Sequence, residues 1–597
     1  MTSIKRAYRS SQLISPFGPG SIIDLGEESL ILVDPSLWPE DKLEEIKLDR
    51  LTKGAGVWAL KKPPVIKSRY EKIDKNNALM TVRFPKWMFC PQCRKLEYWR
   101  KDTGVVNKYG VPICSNTRCK EKALVPMRFV AACEHGHLSD VPWSLWAHRG
   151  ANEHCSSPEL YFNSDPTKGS GLDALYIECK NPNCGVKNDL KNLMSPQALD
   201  GIKCFGNQPW EYDDQKTCSE ELKVLQKGAS NLYYSVIRSA LDIPVNVISK
   251  GNSVFEKIKE SEDFEELMKA IDKGRDRKRR DLISYISEEL DISEEEITRA
   301  VTSQEKDQRT FKIPSDKDLR LAEWEVLSSR DIEQKSSKTF KAEVVNWISD
   351  NDFELNKIIS RVVLLHKLRE VRAFCGFERI SPSDNIVAPK SINATTSWLP
   401  AVEVYGEGIF LEFDINYIEA WESNLSHDMR ARLEHLITRH AGLTNNYLPV
   451  PTAKFLILHT FSHLLIRQLS FESGYSSGSL RERIYAEEGQ AGLLIYTADG
   501  DSEGSLGGLV QQGKLQTLLP MIFAALENSH WCSNDPVCSE MESQGVMGLN
   551  QAACHACTLV SETSCEYNNL LLDRKLLIAE DEKGFFSKIL KRVSELS

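Results

Sequence analysis

Fifteen of the sixteen cysteines in this chain of 597 residues fall in two blocks, ten between Cys90 and Cys218 and five between Cys532 and Cys565. Thiolates in short-spaced pairs are the ligand set of structural zinc, which takes four donors at the corners of a tetrahedron. Cys90-x2-Cys93 is followed twenty residues later by Cys114-x4-Cys119. This is the arrangement of a zinc ribbon, in which each pair sits on a tight knuckle. Four thiolates leave no open coordination position, so the expected role is structural.

Further along, Cys179-x4-Cys184 reads as another knuckle, with Pro182 and Gly185 supplying the turn. Cys204 and Cys218 complete a second four-cysteine set with it. Between the two groups lie Cys133, His137 and Cys155, with His148 and His154 nearby. A mixed cysteine–histidine site is one reading of these residues, and buried thiols with polar histidines is the other. The C-terminal block holds Cys532, Cys538, Cys554, Cys557 and Cys565, five thiols for four positions. The expected ligands are Cys538, Cys554, Cys557 and Cys565, because the last three are closely spaced and Asp535-Pro536 turns the chain into Cys538. Cys532 and the isolated Cys375 are left outside. The cofactor expected is Zn2+, at the first and last of these groups and, with weaker spacing, at the middle one.

Catalytic signals are sparse. His459-x3-His463 places two imidazoles on one helix face, and with Ser476, Ser477, Asp499 or Ser505 they would suit a hydrolytic or metal site, such as that of a nuclease. The same helix carries Phe455, Leu456 and Leu464, which favours core histidines that hold a loop by hydrogen bonds. Gly508-x4-Gly513-Lys514 has the glycine and lysine spacing of a phosphate loop but ends in Leu515, without the hydroxyl that holds Mg2+. No DEAD-type box or HExxH is present. No ATP-driven motor, catalytic residue or nucleotide cofactor is expected.

The elements that position these residues follow from composition and pattern. Hydrophobic residues make up 41% and charged residues 27%, as in globular proteins, and the length implies roughly three or four domains. The net charge of −10 argues against a nucleic-acid sponge, so any contact with DNA needs a local basic surface or a basic partner. The fold class expected is α+β and multidomain. Residues 1–83 form an N-terminal segment with a turn at Ser15-Pro16-Phe17-Gly18-Pro19-Gly20, read as a surface turn or a partner-docking loop. Residues 84–252 form a zinc-ribbon-like cysteine-rich region of short strands and knuckles.

The spacing of Leu222, Leu225, Ala229, Leu232, Tyr233, Val236 and Ile237 predicts a helix within that region. Residues 253–345 form a charged helical middle. Its basic run Lys273–Arg280 reads as a solvated face, with phosphate contact as the sharper reading. Residues 346–597 form a mixed α/β C-terminal domain. There a helix is predicted through Leu355, Ile358, Ile359, Val362, Val363 and Leu365, strands at 409–413 and 492–496, and a helix at about 452–471. No run of eighteen apolar residues suggests a membrane span, and the N-terminus lacks a signal-peptide pattern. The expected compartment is therefore the reducing cytoplasm, where clustered thiols are metal ligands rather than disulfides.

Two sets of blocks carry a resemblance. Gly548-Leu549-Asn550-Gln551-Ala552-Ala553-Cys554-His555-Ala556-Cys557, then Glu562-Thr563-Ser564-Cys565-Glu566 and Leu572-Asp573-Arg574, resemble the zinc-binding domain appended to MrfA-type superfamily 2 helicases. His459-Thr460-x2-His463, Gly474-Tyr475-Ser476-Ser477 and Gly504-x-Leu506-Gly507-Gly508 belong to the same pattern. Ser11–Gly20, Arg83–Cys93, Gly136-His137-Leu138-x-Asp140-x-Pro142-Trp143 and Lys227–Tyr233 resemble DrmB-like proteins, the accessory family of the DISARM anti-phage system. The resemblance implies a non-catalytic subunit that partners a separate DrmA-like helicase and engages DNA through that complex. A scaffold without nucleic-acid contact is the plainer reading.

Overall fold

The apolar run from Leu355 to Leu365 changes element at its midpoint. One short helix, Glu354–Ile358, gives way to a strand of 20 residues, Ile359–Glu378. Ile359, Val362 and Val363 are β-branched and stiff, which suits a pleated sheet better than a helix. The strand is buried along most of its length, and burial on both faces erases the alternation that marks a strand in sequence. The helix expected from Leu222 to Ile237 is likewise replaced by strands, Lys223–Gln226 and Tyr234–Leu241, separated by a turn at Ser230–Leu232. Helices and strands are both abundant, and the chain is α+β.

The computed structural model describes residues 8–26, 28–64, 79–150, 155–212, 214–244, 254–259, 261–306, 310–345, 354–382, 385–443, 448–497, 508–579 and 583–596. His154, Asp499 and Ser505 lie outside the described residues, as do 504–507 of the glycine-rich block. Two compact units are interleaved in sequence. The first takes Met1–Arg238, Ser249–Ile313 and Arg372–Val402, and the second takes Ser239–Ile248, Pro314–Val371 and Glu403–Ser597. No helix among the described residues is long and apolar enough to cross a membrane.

The first unit is assembled from small antiparallel sheets. Phe129–Ala132 pairs with Leu138–Asp140 on one side and with Lys223–Gln226 on the other. Leu175–Cys179 lies between Leu160–Ser164 and Lys187–Asp189. Trp87–Phe89 lies between Leu96–Tyr98 and Val125–Pro126. The turn read as a surface loop is one only at its start: Ser15 and Pro16 are exposed, whereas Gly18, Pro19 and Gly20 are buried. Gly20 has φ +83°, and a Cβ there would stand 2.6 Å from the Phe377 ring, so only glycine fits. The charged helices Val254–Lys259, Phe264–Asp272, Asp276–Leu290 and Glu294–Lys306 have their own apolar centre, built on Trp58, Phe255, Ile258, Leu267, Ile286 and Ile297.

In the second unit, strands Leu480–Tyr485 and Gly492–Thr497 form a hairpin, and Leu493 lies opposite both Ile484 and Leu411. Helix Ala453–Ser473 starts at Thr452, whose hydroxyl accepts the Phe455 N–H, and stops at Gly474 in the left-handed conformation. Alternation on Leu480–Tyr485 divides its side chains between two faces. Leu480 and Ile484 join the core around Phe455, Leu456 and Leu464 of that helix. Arg483 and Tyr485 face the other way, where Arg483 is held by the carboxylates of Glu323 and Glu370. Glu482 is thereby turned toward the helix that carries His459 and His463.

Candidate metal centres

Among the described residues, four cysteine-rich groups each bring four ligand atoms within 4.8 Å of one another. The first is the expected set. Cys90 and Cys93 flank a knuckle closed by Arg94 N–H to the Cys90 carbonyl at 2.8 Å, with Arg94 at φ +68°. Cys114 and Cys119 flank a second knuckle, in which the Asn116 N–H points at Cys114 Sγ from 3.4 Å. Cys93 Sγ and Cys114 Sγ stand 3.6 Å apart. Thiolates at the corners of a zinc tetrahedron with bonds of ~2.3 Å are about 3.8 Å apart.

The middle set does not stay together. Cys179 and Cys184 gather with Cys155 and His148, whereas Cys204 and Cys218 gather with Cys133 and His137. Strand pairing explains the division. Cys179 ends the strand Leu175–Cys179 and lies opposite Leu160, which brings the segment around Cys155 beside the knuckle. Cys218 precedes the strand Lys223–Gln226, whose first residue lies opposite Ala132, so Cys218 and Cys204 are delivered to the hairpin turn of Cys133 and His137 instead. Cysteine spacing carries no information about which strand a knuckle follows.

Cys133 and His137 stay together as the mixed reading had them, but Cys155 leaves them for His148, which the spacing had not made a ligand. His148 ends the short helix Trp143–Ala147, and its Nδ1 lies 2.7 Å from the Ser144 carbonyl. A carbonyl can only accept, so Nδ1 carries the proton and Nε2 presents a lone pair. That Nε2 is buried and has no hydrogen-bond partner, as expected of a metal ligand oriented by its other nitrogen. In the neighbouring group His137 Nδ1 lies 3.4 Å from Cys133 Sγ. The Gly206 N–H approaches Cys204 Sγ to 3.3 Å. Interaction with Cys204, and then His137, outweighs burial and pulls the Cys133 thiol down to about 4, toward the thiolate a metal requires.

The C-terminal group is Cys532, Cys538, Cys554 and Cys557, so Cys532 takes the place expected for Cys565. Sulfur separations are 3.5 Å for Cys532 to Cys554, 3.8 Å for Cys538 to Cys557 and 3.7 Å for Cys554 to Cys557. The Asp535 carboxylate accepts the Cys532 N–H at 2.7 Å and bridges to Arg574 at 2.6 and 2.7 Å. The Asp535-Pro536 turn therefore aims two thiols, one on either side of it. Burial pushes the Cys554 thiol up, but the Asn534 amide and the Ala556 and Cys557 N–H groups outweigh it and hold the thiol at about 6. Cys565 is elsewhere: its Sγ lies 3.2 Å from His459 Nε2.

The remaining sequence signals have structural partners. His459 and His463 are fully buried on their helix, and Ser477, one of the serines considered beside them, bonds to Ser561 at 2.7 Å. The phosphate-loop-like run starts helix Gly508–Gln512, but its first amides are already taken. Leu509 N–H donates to the Glu407 carboxylate at 2.7 Å, and Val510 N–H donates to the other oxygen at 3.5 Å. Gly513 is required by packing, since a Cβ would meet the Leu364 side chain at 2.3 Å.

Comparison with known proteins divides along the same groups. Residues 9–234 match a family described as a domain of unknown function, DUF8724, and residues 461–558 match the MrfA Zn-binding domain. The first span includes all ten cysteines of the first block. The second includes Cys532, Cys538, Cys554 and Cys557 and stops short of Cys565. DISARM protein DrmB of Bacillus paralicheniformis is 34% identical over 576 residues, which are 93% of this chain and 97% of that protein. The crystal structure of the DUF1998 helicase MrfA bound to DNA aligns over 44% of this chain and 26% of that one. The identity is 12% and the TM-score 0.18, too low to carry an argument.

Proposed function

The chain belongs to the DrmB family of DISARM proteins, and from that membership we propose that it is a non-catalytic, zinc-braced subunit. It pairs with a separate DrmA-like superfamily 2 helicase and helps hold DNA during defence against phage. The observation that carries this reading is identity with a DISARM protein along almost the entire chain, joined to a matched zinc-binding domain named for the MrfA helicase. The site of action is the cytoplasm, where thiols stay reduced and available to metal.

Four zinc ions would be held by Cys90, Cys93, Cys114 and Cys119; by Cys133, His137, Cys204 and Cys218; by His148, Cys155, Cys179 and Cys184; and by Cys532, Cys538, Cys554 and Cys557. Bound zinc supplies crosslinks between short loops that bury too little apolar surface to fix themselves. Each set fills all four positions with protein donors, which leaves none for a substrate. The Glu407 carboxylate on the first amides of the Gly508 helix supports the absence of nucleotide chemistry. Two fully buried imidazoles make a hydrolase the weaker reading.

The decisive experiment is co-purification with the DrmA-like helicase at physiological salt, with ATPase and nuclease assays on each protein alone. Co-elution, and no ATPase or nuclease activity in this chain by itself, are the expected results. Failure to form the complex removes the reading's main support. Hydrolysis that disappears in a folded His463→Ala variant restores the enzyme reading.

A further inference from the structure

Beyond the four cysteine-rich groups, a fifth convergence lies in the second unit. The ligand atoms of His459, His463, Glu482 and Cys565 all stand within 4.8 Å of one another, and all four residues are buried. His459 Nε2 lies 3.1 Å from Glu482 Oε1 and 3.2 Å from Cys565 Sγ, and His463 Nε2 lies 3.2 Å from the same carboxylate oxygen. We propose that these four side chains form a closed, structural zinc site, independent of the DISARM reading.

The first argument is the direction of the protons. His459 Nδ1 lies 3.2 Å from the Leu571 carbonyl and His463 Nδ1 lies 3.2 Å from the Thr558 carbonyl. Carbonyl oxygens accept only, so both Nδ1 atoms carry hydrogen, and each ring in its neutral form turns an Nε2 lone pair inward. There they meet a carboxylate oxygen and a sulfur. Cys565 Sγ already accepts N–H groups from Tyr567 at 3.3 Å and Asn569 at 3.2 Å, as the sulfurs of metal knuckles do. With both rings neutral and the thiol ionised, four acceptors face one another in a buried space, and a cation between them would satisfy all four.

The second argument is charge. Two neutral imidazoles, one carboxylate and one thiolate around a divalent ion sum to zero. Without a metal, the same neutrality requires one ring protonated against the carboxylate and Cys565 kept as a thiol that donates to the other ring, and metal content separates the two states. The second carboxylate oxygen, Glu482 Oε2, is buried without a hydrogen-bond partner, so hydrogen bonding alone does not account for this side chain.

The third argument is fit. Donors at zinc bond lengths of about 2.0–2.3 Å sit roughly 3.3–3.8 Å apart at tetrahedral corners, close to the separations here. Two nitrogens, one oxygen and one sulfur make a donor set of intermediate softness, which zinc accepts. The donors come from helix Ala453–Ser473, strand Leu480–Tyr485 and the loop at Cys565, so one ion would pin three elements.

The test is metal content per chain by elemental mass spectrometry, on full-length protein purified in reductant without chelator. Folded His463→Gln and Cys565→Ala should each carry one equivalent less than wild type. Cys375→Ala, at an isolated buried thiol, should carry the full complement. An unchanged complement in folded His463→Gln and Cys565→Ala overturns the site. Should neither variant fold, anomalous diffraction at the zinc edge on wild-type crystals soaked in Zn2+ decides. A peak between His459 Nε2 and Cys565 Sγ supports the site, and its absence overturns it. Neither readout depends on the helicase.

Discussion

Arg379 donates from Nε to the carbonyl of Gly136, 2.9 Å away, and so ties the end of the longest strand to the turn that holds Cys133 and His137. Its Nη1 donates to the Leu232 carbonyl at 2.7 Å and its Nη2 to the Gly20 carbonyl at 2.8 Å. Three of the blocks that carry the family resemblance, around Gly20, Gly136 and Leu232, therefore meet on one guanidinium. The cation also lies over the Phe377 and Trp210 rings, 4.6 and 5.2 Å from their centres. These blocks form a buried junction.

Arg379→Met should therefore destabilise the first unit by at least about 3 kcal/mol, because three buried carbonyls lose a charged donor. Arg379→Lys should restore little, since an ammonium does not reproduce the planar fork. Burial pulls the Arg379 guanidinium down to about 10. A base lowered in the folded state carries its full desolvation cost at every pH below that value, and the cost falls only as pH rises through it. The loss in Arg379→Met should hence be constant from pH 6 to 8.5. Denaturant midpoints followed by tryptophan fluorescence across that range measure it, and a pH-dependent deficit would contradict this account.

The division of the middle cysteines is tested by counting metal. If Cys184 and Cys204 shared one ion, the double variant Cys184→Ser/Cys204→Ser would lose one equivalent. The expected loss is two, because Cys184 gathers with Cys155 and Cys204 with Cys133. His148→Ala should lose one equivalent and His148→Cys should keep it, since a thiolate replaces the imidazole as donor. Elemental analysis of these folded variants separates the outcomes.

What the sequence made legible follows from the range of each signal. Cys90 to Cys119 needed only two local knuckles, and both formed. The helix at Ala453–Ser473 was readable because Thr452 and Gly474 mark its ends, and the strand Gly492–Thr497 stood out as a short apolar run, whereas 409–413 is only the end of the strand Trp398–Phe413. Ile359–Val363 misleads because a strand buried on both faces has no period to detect. The placement of Cys565 failed for a different reason. Its partners, His459 and Glu482, are 106 and 83 positions away, and only the packing of a helix on a sheet brings them together. His148 carried one faint sign, a histidine at the end of a short helix just before a cysteine.

Cys532 and Cys565 should behave as members of different centres. Cys532→Ser should remove one zinc and expose the turn around Asp535. Asp535→Asn should weaken the same centre without removing a ligand, because the carboxylate both accepts the Cys532 N–H and bridges Arg574. Competition with a chromogenic chelator should show faster zinc release from Asp535→Asn than from wild type. Equal release rates would mean that the Arg574 bridge does not brace the site.

The basic run is the last feature with a claim on DNA. Lys273–Lys278 and Arg280 are exposed at the start of helix Asp276–Leu290. Lys278 already pairs with Glu266 of the preceding helix, which holds that carboxyl below its ordinary value. The surrounding helices are rich in acid, with Glu294, Glu295 and Glu296 opening the next one. A phosphate-binding helix would instead concentrate unopposed charge along one face. Changing Arg277, Lys278, Arg279 and Arg280 to glutamine should therefore leave the DNA affinity of the helicase complex within about twofold of wild type at roughly 150 mM salt. The slope of log affinity against log salt should stay the same. Were these residues neutralising phosphates, the slope would shallow by about 0.9 for each phosphate no longer neutralised. A titration by fluorescence anisotropy at four salt concentrations distinguishes the two, and a shallower slope would make this helix the DNA-facing element.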